Sequence, residues 1–151
     1  MINCAVMSDF ILKDQHKNDF VLKAYPDQLK LLSFHPLAWT EVCAQQMKAL
    51  EANFQQFEEL HTVPVGISID AVPTKFAWAN QLGIKQIRLL SDFWPHGEVA
   101  KMMEIFRDKD GFSERANILL NQESKVIWKK IYPIAELPDI EEVIRVIKNS
   151  Q

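Results

Sequence analysis

Pro36-Leu37-Ala38-Trp39-Thr40-Glu41-Val42-Cys43 is the stretch whose reading decides the fold. Before it, Leu29-Lys30-Leu31-Leu32-Ser33-Phe34 reads as an apolar strand. After it, Met47, Leu50, Phe54, Phe57 and Leu60 recur at helical spacing. A strand that runs directly into a long helix puts Cys43 in the first turn of that helix. Unpaired backbone N–H groups and the positive end of the helix dipole converge there, and both favour S⁻ over SH. The segment is built as a nucleophile site.

Working outward, a strand near 30–35, a helix near 43–60, a strand near 63–69 and a helix near 74–82 predict a parallel strand pair with helices on its faces. A short strand over Ile87-Arg88-Leu89-Leu90 continues the sheet, followed by a helix near 97–106. The segments 115–121 and 125–131 flank Asn121-Gln122-Glu123-Ser124 and read as an antiparallel hairpin. Ile140, Val143, Ile144 and Ile147 define a C-terminal amphipathic helix opened by Pro138. At the other end, Phe10-Ile11-Leu12 and Phe20-Val21-Leu22 enclose a polar turn and read as an N-terminal hairpin. The order is α/β and thioredoxin-like: a central mixed sheet flanked by helices, with an added N-terminal β-hairpin, in one domain over 1–151.

Composition bounds the function. Among 151 residues, 48% are hydrophobic and 25% charged, as in ordinary globular proteins, and a formal net charge of −3 provides no basic field for nucleic acid. No basic, apolar leader opens the chain and no stretch reaches bilayer-spanning length, so the expectations are no membrane partner and cytoplasmic residence. Two cysteines make no disulfide framework. His16, His35, His61 and His96 lack metal-ligand spacing, and the glycines form no phosphate loop, so no cofactor is expected. His35, directly before Pro36, reads as a strand-end residue with a satisfied hydrogen bond.

The neighbours of Cys43 narrow its chemistry. Gln46 stands where a Cys-x-x-Cys motif would have its second thiol, which disfavours dithiol exchange. Pro36 stiffens the strand-to-helix turn and covers one side of the thiol. Thr40 brings a hydroxyl that donates and accepts, suited to a small substrate with paired oxygens. Alone, Thr40 would be a helix cap, a role compatible with the first.

Pro36, Thr40 and Cys43 at the spacing P-x-x-x-T-x-x-C resemble the active-site motif of the peroxiredoxins, the AhpC/TSA-like thiol peroxidases. Further matches follow in order. Ser8-Asp9-Phe10-Ile11-Leu12 is similar to the family's opening A-P-D-F-x-L, and Val65-Gly66-Ile67-Ser68-Ile69-Asp70 to its V-x-G-I-S-x-D strand. Ala77-Trp78-Ala79, Leu90-Ser91-Asp92-Phe93 and Glu114-Arg115-Ala116-Asn117-Ile118-Leu119-Leu120 resemble its A-W-A helix, L-S-D loop and R-A-x-F-x-I-D strand. The chain departs from the pattern at Ser8, usually proline, and at Asn121, usually aspartate. It departs again over Met103-Glu104-Ile105-Phe106-Arg107, where a Tyr-Gly pair is common, so that loop is expected to be remodelled.

The resemblance implies that Cys43 is the peroxidatic cysteine, attacking the terminal oxygen of hydrogen peroxide or an organic hydroperoxide to form a sulfenic acid. It implies that Thr40 holds the thiolate and the peroxide oxygen, that Pro36 shields the sulfur and that Arg115 brings a guanidinium to it. Gln46, where the family has Glu or Gln, would orient Arg115, and Trp78 would lie close to the pocket. No usual resolving position carries cysteine, so a one-cysteine cycle is expected, with Cys4 outside it. The reductant is then external, a thioredoxin-like protein or a low-molecular-weight thiol. Trp39, Phe93 and Trp94 fall on loops bordering the site, where the resemblance suggests a homodimer contact. The alternative reading is a thioredoxin-fold redox sensor or binding protein without efficient turnover.

Overall fold

A computed structural model describes residues 8–151; Cys4 lies outside the described residues. In chain order the elements are β1 (Ile11–Lys13), β2 (Asp19–Val21), β3 (Leu29–Phe34), α1 (Glu41–Ala52), α2 (Phe54–Glu59), β4 (Thr62–Ser68), α3 (Val72–Leu82) and β5 (Arg88–Ser91). Then come α4 (Glu98–Met102), β6 (Phe106–Arg107), β7 (Phe112–Ser113), β8 (Arg115–Leu120), β9 (Val126–Tyr132) and α5 (Ile140–Asn149). Seven strands form one mixed sheet in the order β2-β1-β5-β4-β3-β8-β9. The β3–β4 and β4–β5 pairs are parallel, each joined by a helical crossover, and β3–β8 and β8–β9 are antiparallel.

Central strands buried on both faces need apolar residues at successive positions, and β3 and β8 are buried throughout. Their alternation distributes side chains between two cores. Leu32, Phe34, Ile118 and Leu120 face one, with Phe10, Phe20 and Val99. Leu29, Leu31 and Leu119 face the other, with Met47, Trp78, Ile144, Ile147 and Cys43.

The thioredoxin-like order holds, with three local differences. The helix expected over 43–60 is two helices, because Asn53 folds its side-chain amide back on the Ala49 carbonyl at 2.8 Å and competes with the helical ladder. The N-terminal hairpin is part of the sheet, since Lys13 of β1 pairs with Ser91 of β5. The helix expected over 97–106 ends at Met102: Glu104 turns to φ 61°, and Phe106–Arg107 leaves to pair with Phe112–Ser113. That small hairpin is the remodelled loop before Arg115. Finally, α5 is capped by Asp139, whose carboxylate accepts from Glu141 N at 3.0 Å, with Pro138 directly before that cap at the opening of the helix.

Candidate active site

Cys43 is the third residue of α1 and has no exposed surface. One turn on, Met47 seats the helix against β4 at Gly66, where a Cβ would come within 2.3 Å of Met47 Sδ and 3.0 Å of Leu89 Cδ2. Glycine is required there for the close approach that fixes how far the thiol stands from the sheet.

Arg115, the first residue of β8, is 2% exposed and reaches across to that thiol. Its Nη1 donates to Cys43 Sγ at 3.2 Å and to Gln46 Oε1 at 2.8 Å. Its Nε and Nη2 both donate to the Ile134 carbonyl, at 2.9 and 2.7 Å. Gln46 lies three residues beyond Cys43, on the same helical face. Its own amide donates to Ser33 Oγ at 2.8 Å and the Phe34 carbonyl at 3.1 Å. The end of β3, the first turns of α1 and the start of β8 are thereby tied around one sulfur. A planar guanidinium anchored by two acceptors, the Ile134 carbonyl and Gln46 Oε1, is pre-aimed at negative charge on the sulfur.

The loop between β3 and α1 forms the outer wall. Pro36 is buried and Thr40 is exposed at the cap position of α1. The Thr40 hydroxyl neither caps the helix nor bonds the thiol: it donates to the Leu37 carbonyl at 2.8 Å. Trp39 beside it has φ 69° and is 55% exposed. Asp70 braces the loop from beneath, its Oδ2 accepting from Ala38 N at 2.8 Å and Ser68 Oγ at 2.6 Å. The structure thus brings Cys43, Arg115 and Gln46 together in one network, places Trp78 in the same core as Cys43, buries Pro36 in the loop before α1, and leaves the Thr40 hydroxyl turned to its own loop.

Sequence reasoning missed Asp70 and the partners of His35. The His35 backbone N–H donates to the Ile67 carbonyl at 3.0 Å, as a strand-end residue should, but its buried ring meets Lys75. Lys75 Nζ lies 2.9 Å from His35 Nε2 and 5.7 Å from the centroid of the Trp78 ring, with no exposed surface. Burial, and then the charges of Lys75 and Arg115, hold His35 well below the usual histidine range. Burial pushes Lys75 down to about 7, against the pull of Asp70, Cys43 and Asp92. Lys75 lies in the helix expected near 74–82, where nothing in the sequence marks it, and its burial appears only once α3 packs on the sheet.

Phe93 and Trp94, 50% and 81% exposed, lie at the end of β5. With Ile11, Val72 and Pro73 they line an open groove of about 410 Å³.

The chain matches the family described as AhpC/TSA over residues 5–129. It is 31% identical over 136 residues to alkyl hydroperoxide reductase E of Mycobacterium tuberculosis, covering 89% of this chain and 88% of that one. It is 30% identical over 140 residues to a peroxiredoxin of Thermoplasma volcanium, covering 89% and 68%. Among solved structures, Enterococcus faecalis AhpC superimposes with a TM-score of 0.91 at 20% identity, covering 99% of this chain and 92% of that one. Peroxidoxin BcpB from Mycobacterium tuberculosis superimposes with 0.85 at 21% identity, covering 100% and 99%.

Proposed function

Because this chain belongs to the AhpC/TSA family, we propose that it is a thiol-dependent peroxidase that reduces hydrogen peroxide or organic hydroperoxides through Cys43. The observation that carries the reading is the Arg115 guanidinium 3.2 Å from a buried thiol at a helix N-terminus, already anchored by Gln46 and the Ile134 carbonyl. The Cys43 thiolate attacks the terminal oxygen of the peroxide. A sulfur–oxygen bond forms as the O–O bond breaks, sulfur is oxidised by two electrons, and the leaving hydroxide or alkoxide takes up a proton. Arg115 stabilises the thiolate before the step and the departing oxygen during it. Pro36 keeps water from the sulfur. Thr40, whose hydroxyl proton is engaged by Leu37, presents its lone pairs to the O–H of the incoming peroxide.

Recycling in this reading uses external thiol. One thiol attacks Cys43–SOH and releases water, and a second, or the partner thiol of a thioredoxin-like protein, displaces the resulting mixed disulfide and restores Cys43. The exposed aromatic side chains Trp39, Phe93 and Trp94 support a homodimer contact. Sedimentation of a Trp94→Ser variant as a monomer beside a dimeric native protein tests that contact. Among the described residues no helix is long and apolar enough to cross a membrane.

The defining variant is Cys43→Ser. It should retain the fold and consume no peroxide, because a serine hydroxyl is neither ionised nor comparably nucleophilic. A variant that consumed peroxide at the native rate would remove Cys43 from the chemistry.

A further inference from the structure

A buried lysine beside a buried histidine is costly, and the peroxidase reading above makes no use of the pair. Lys75 is fully enclosed, yet its hydrogen bond goes to an imidazole and not to a carboxylate. His35 immediately precedes Pro36 in the loop that leads into α1, and its ring lies 5.3 Å from that of Trp78, which shares a core with Cys43. We propose that Lys75, acting through His35, is a positioning residue for the Cys43 reaction: it fixes the imidazole tautomer behind Pro36 and supplies a second buried cation, after Arg115, to support the thiolate.

The tautomer follows from donor counting. A lysine ammonium has three donors and no acceptor, so a charged Lys75 requires His35 Nε2 to be the bare nitrogen. The ring proton then sits on Nδ1, which is buried without a hydrogen-bond partner among the described residues. The opposite arrangement, a neutral amine accepting from Nε2–H, would leave Nδ1 a bare buried acceptor. On the acid side of neutrality, where Lys75 holds its proton, its 2.9 Å contact therefore requires the Nδ1–H form of His35.

The charge has a defined audience. Asp70 from the turn before α3, Asp92 from the end of β5 and Cys43 from α1 all favour the ammonium, while Arg115 from β8 joins Lys75 in keeping His35 neutral. Interaction between sites is mutual: if an ionised Cys43 favours charged Lys75, charged Lys75 favours ionised Cys43 by the same amount. Because burial brings Lys75 down to about 7, this support is present on the acid side of neutrality and fades above it. The reaction should then show an alkaline limb that Arg115, charged throughout, cannot produce.

The inference rests on Cys43 being the reactive thiolate, and the test keeps the two apart. Nitrogen-15 NMR of the native protein at pH 6 should show His35 neutral, protonated at Nδ1 and bare at Nε2. In Lys75→Met, which replaces the lysine by an apolar chain of similar length, the ultraviolet thiolate absorbance of Cys43 should titrate at higher pH. Its peroxide reaction at neutral pH should slow about tenfold, the size of a one-unit move in that titration, and the alkaline limb should vanish. An Nε2–H tautomer in the native protein overturns the inference, whether or not the variant folds. So does a folded Lys75→Met with native thiolate titration and native pH profile. A native protein that leaves peroxide untouched overturns the peroxidase reading itself.

Discussion

Arg115 and Cys43, 72 residues apart in the chain, meet at 3.2 Å in the interior between β8 and α1. The guanidinium is held there by the Ile134 carbonyl and Gln46 Oε1, so its aim at the sulfur is fixed before substrate arrives. Arg115→Met should therefore lower peroxide reactivity by roughly a hundredfold to a thousandfold, the scale of losing one aimed charge-stabilising donor. Stopped-flow peroxide consumption, paired with the pH dependence of Cys43 alkylation, checks both halves of the effect. A native alkylation profile in this variant would remove Arg115 from thiolate support.

Asp70 should matter without touching the sulfur. It holds the Pro36–Thr40 loop through Ala38 N and braces Ser68 at the end of β4. Asp70→Ala leaves a backbone N–H and a hydroxyl unpaired, and is expected to cost about 1–3 kcal/mol of stability by denaturant melt. Peroxide reduction should fall as the loop loses its seat. A variant of native stability would show that the brace is idle.

Asp92 predicts a pH dependence with a definite sign. Burial raises it to about 6 from 3.8, although its two oxygens accept from Val99 N and Ala100 N at the start of α4. A folded-state value above the unfolded one means that the folded chain binds more protons between about pH 4 and 6. This contribution to stability is complete below the unfolded value and is lost as pH rises through 6. Relative to Asp92→Asn, the native protein should therefore lose on the order of 3 kcal/mol between pH 4 and 7. Parallel melting curves across that range for both proteins would contradict the assignment.

Recycling makes its own prediction. Cys4→Ser should turn over at the native rate with a small thiol as reductant if, as proposed, an external thiol regenerates Cys43. Excess peroxide without reductant should carry Cys43 to sulfinic acid, because no thiol of the same chain intercepts the sulfenic form. Non-reducing peptide mapping decides it: a dominant peptide linking Cys4 and Cys43 would establish a resolving role for Cys4.

Much of this site was legible along the chain. Pro36, Thr40, Cys43 and Arg115 stand in a recognisable order, and the i, i+3 spacing of Cys43 and Gln46 puts both on one helical face. Other parts depend on partners distant in sequence. Lys75 becomes buried only once α3 packs on the sheet, and nothing near it announces a histidine 40 residues earlier. Asp70 likewise acts on a backbone N–H 32 residues away. Two-residue strands such as Phe106–Arg107 are too short for alternation to register, and the break at Asn53 depends on a side-chain hydrogen bond that competes with an otherwise continuous helical pattern. The Thr40 hydroxyl shows a different limit: a motif states which residue is present, and local geometry decides that it donates to Leu37.

The most direct test of the account is a single turnover. Fully reduced protein is mixed with one equivalent of peroxide in the presence of a sulfenic-acid trapping reagent, and the modified residue is located by peptide mass spectrometry. The account predicts stoichiometric loss of peroxide with the trap on Cys43, and no loss in Cys43→Ser. Consumption of peroxide with Cys43 unmodified, or a trap carried on another residue, would contradict it.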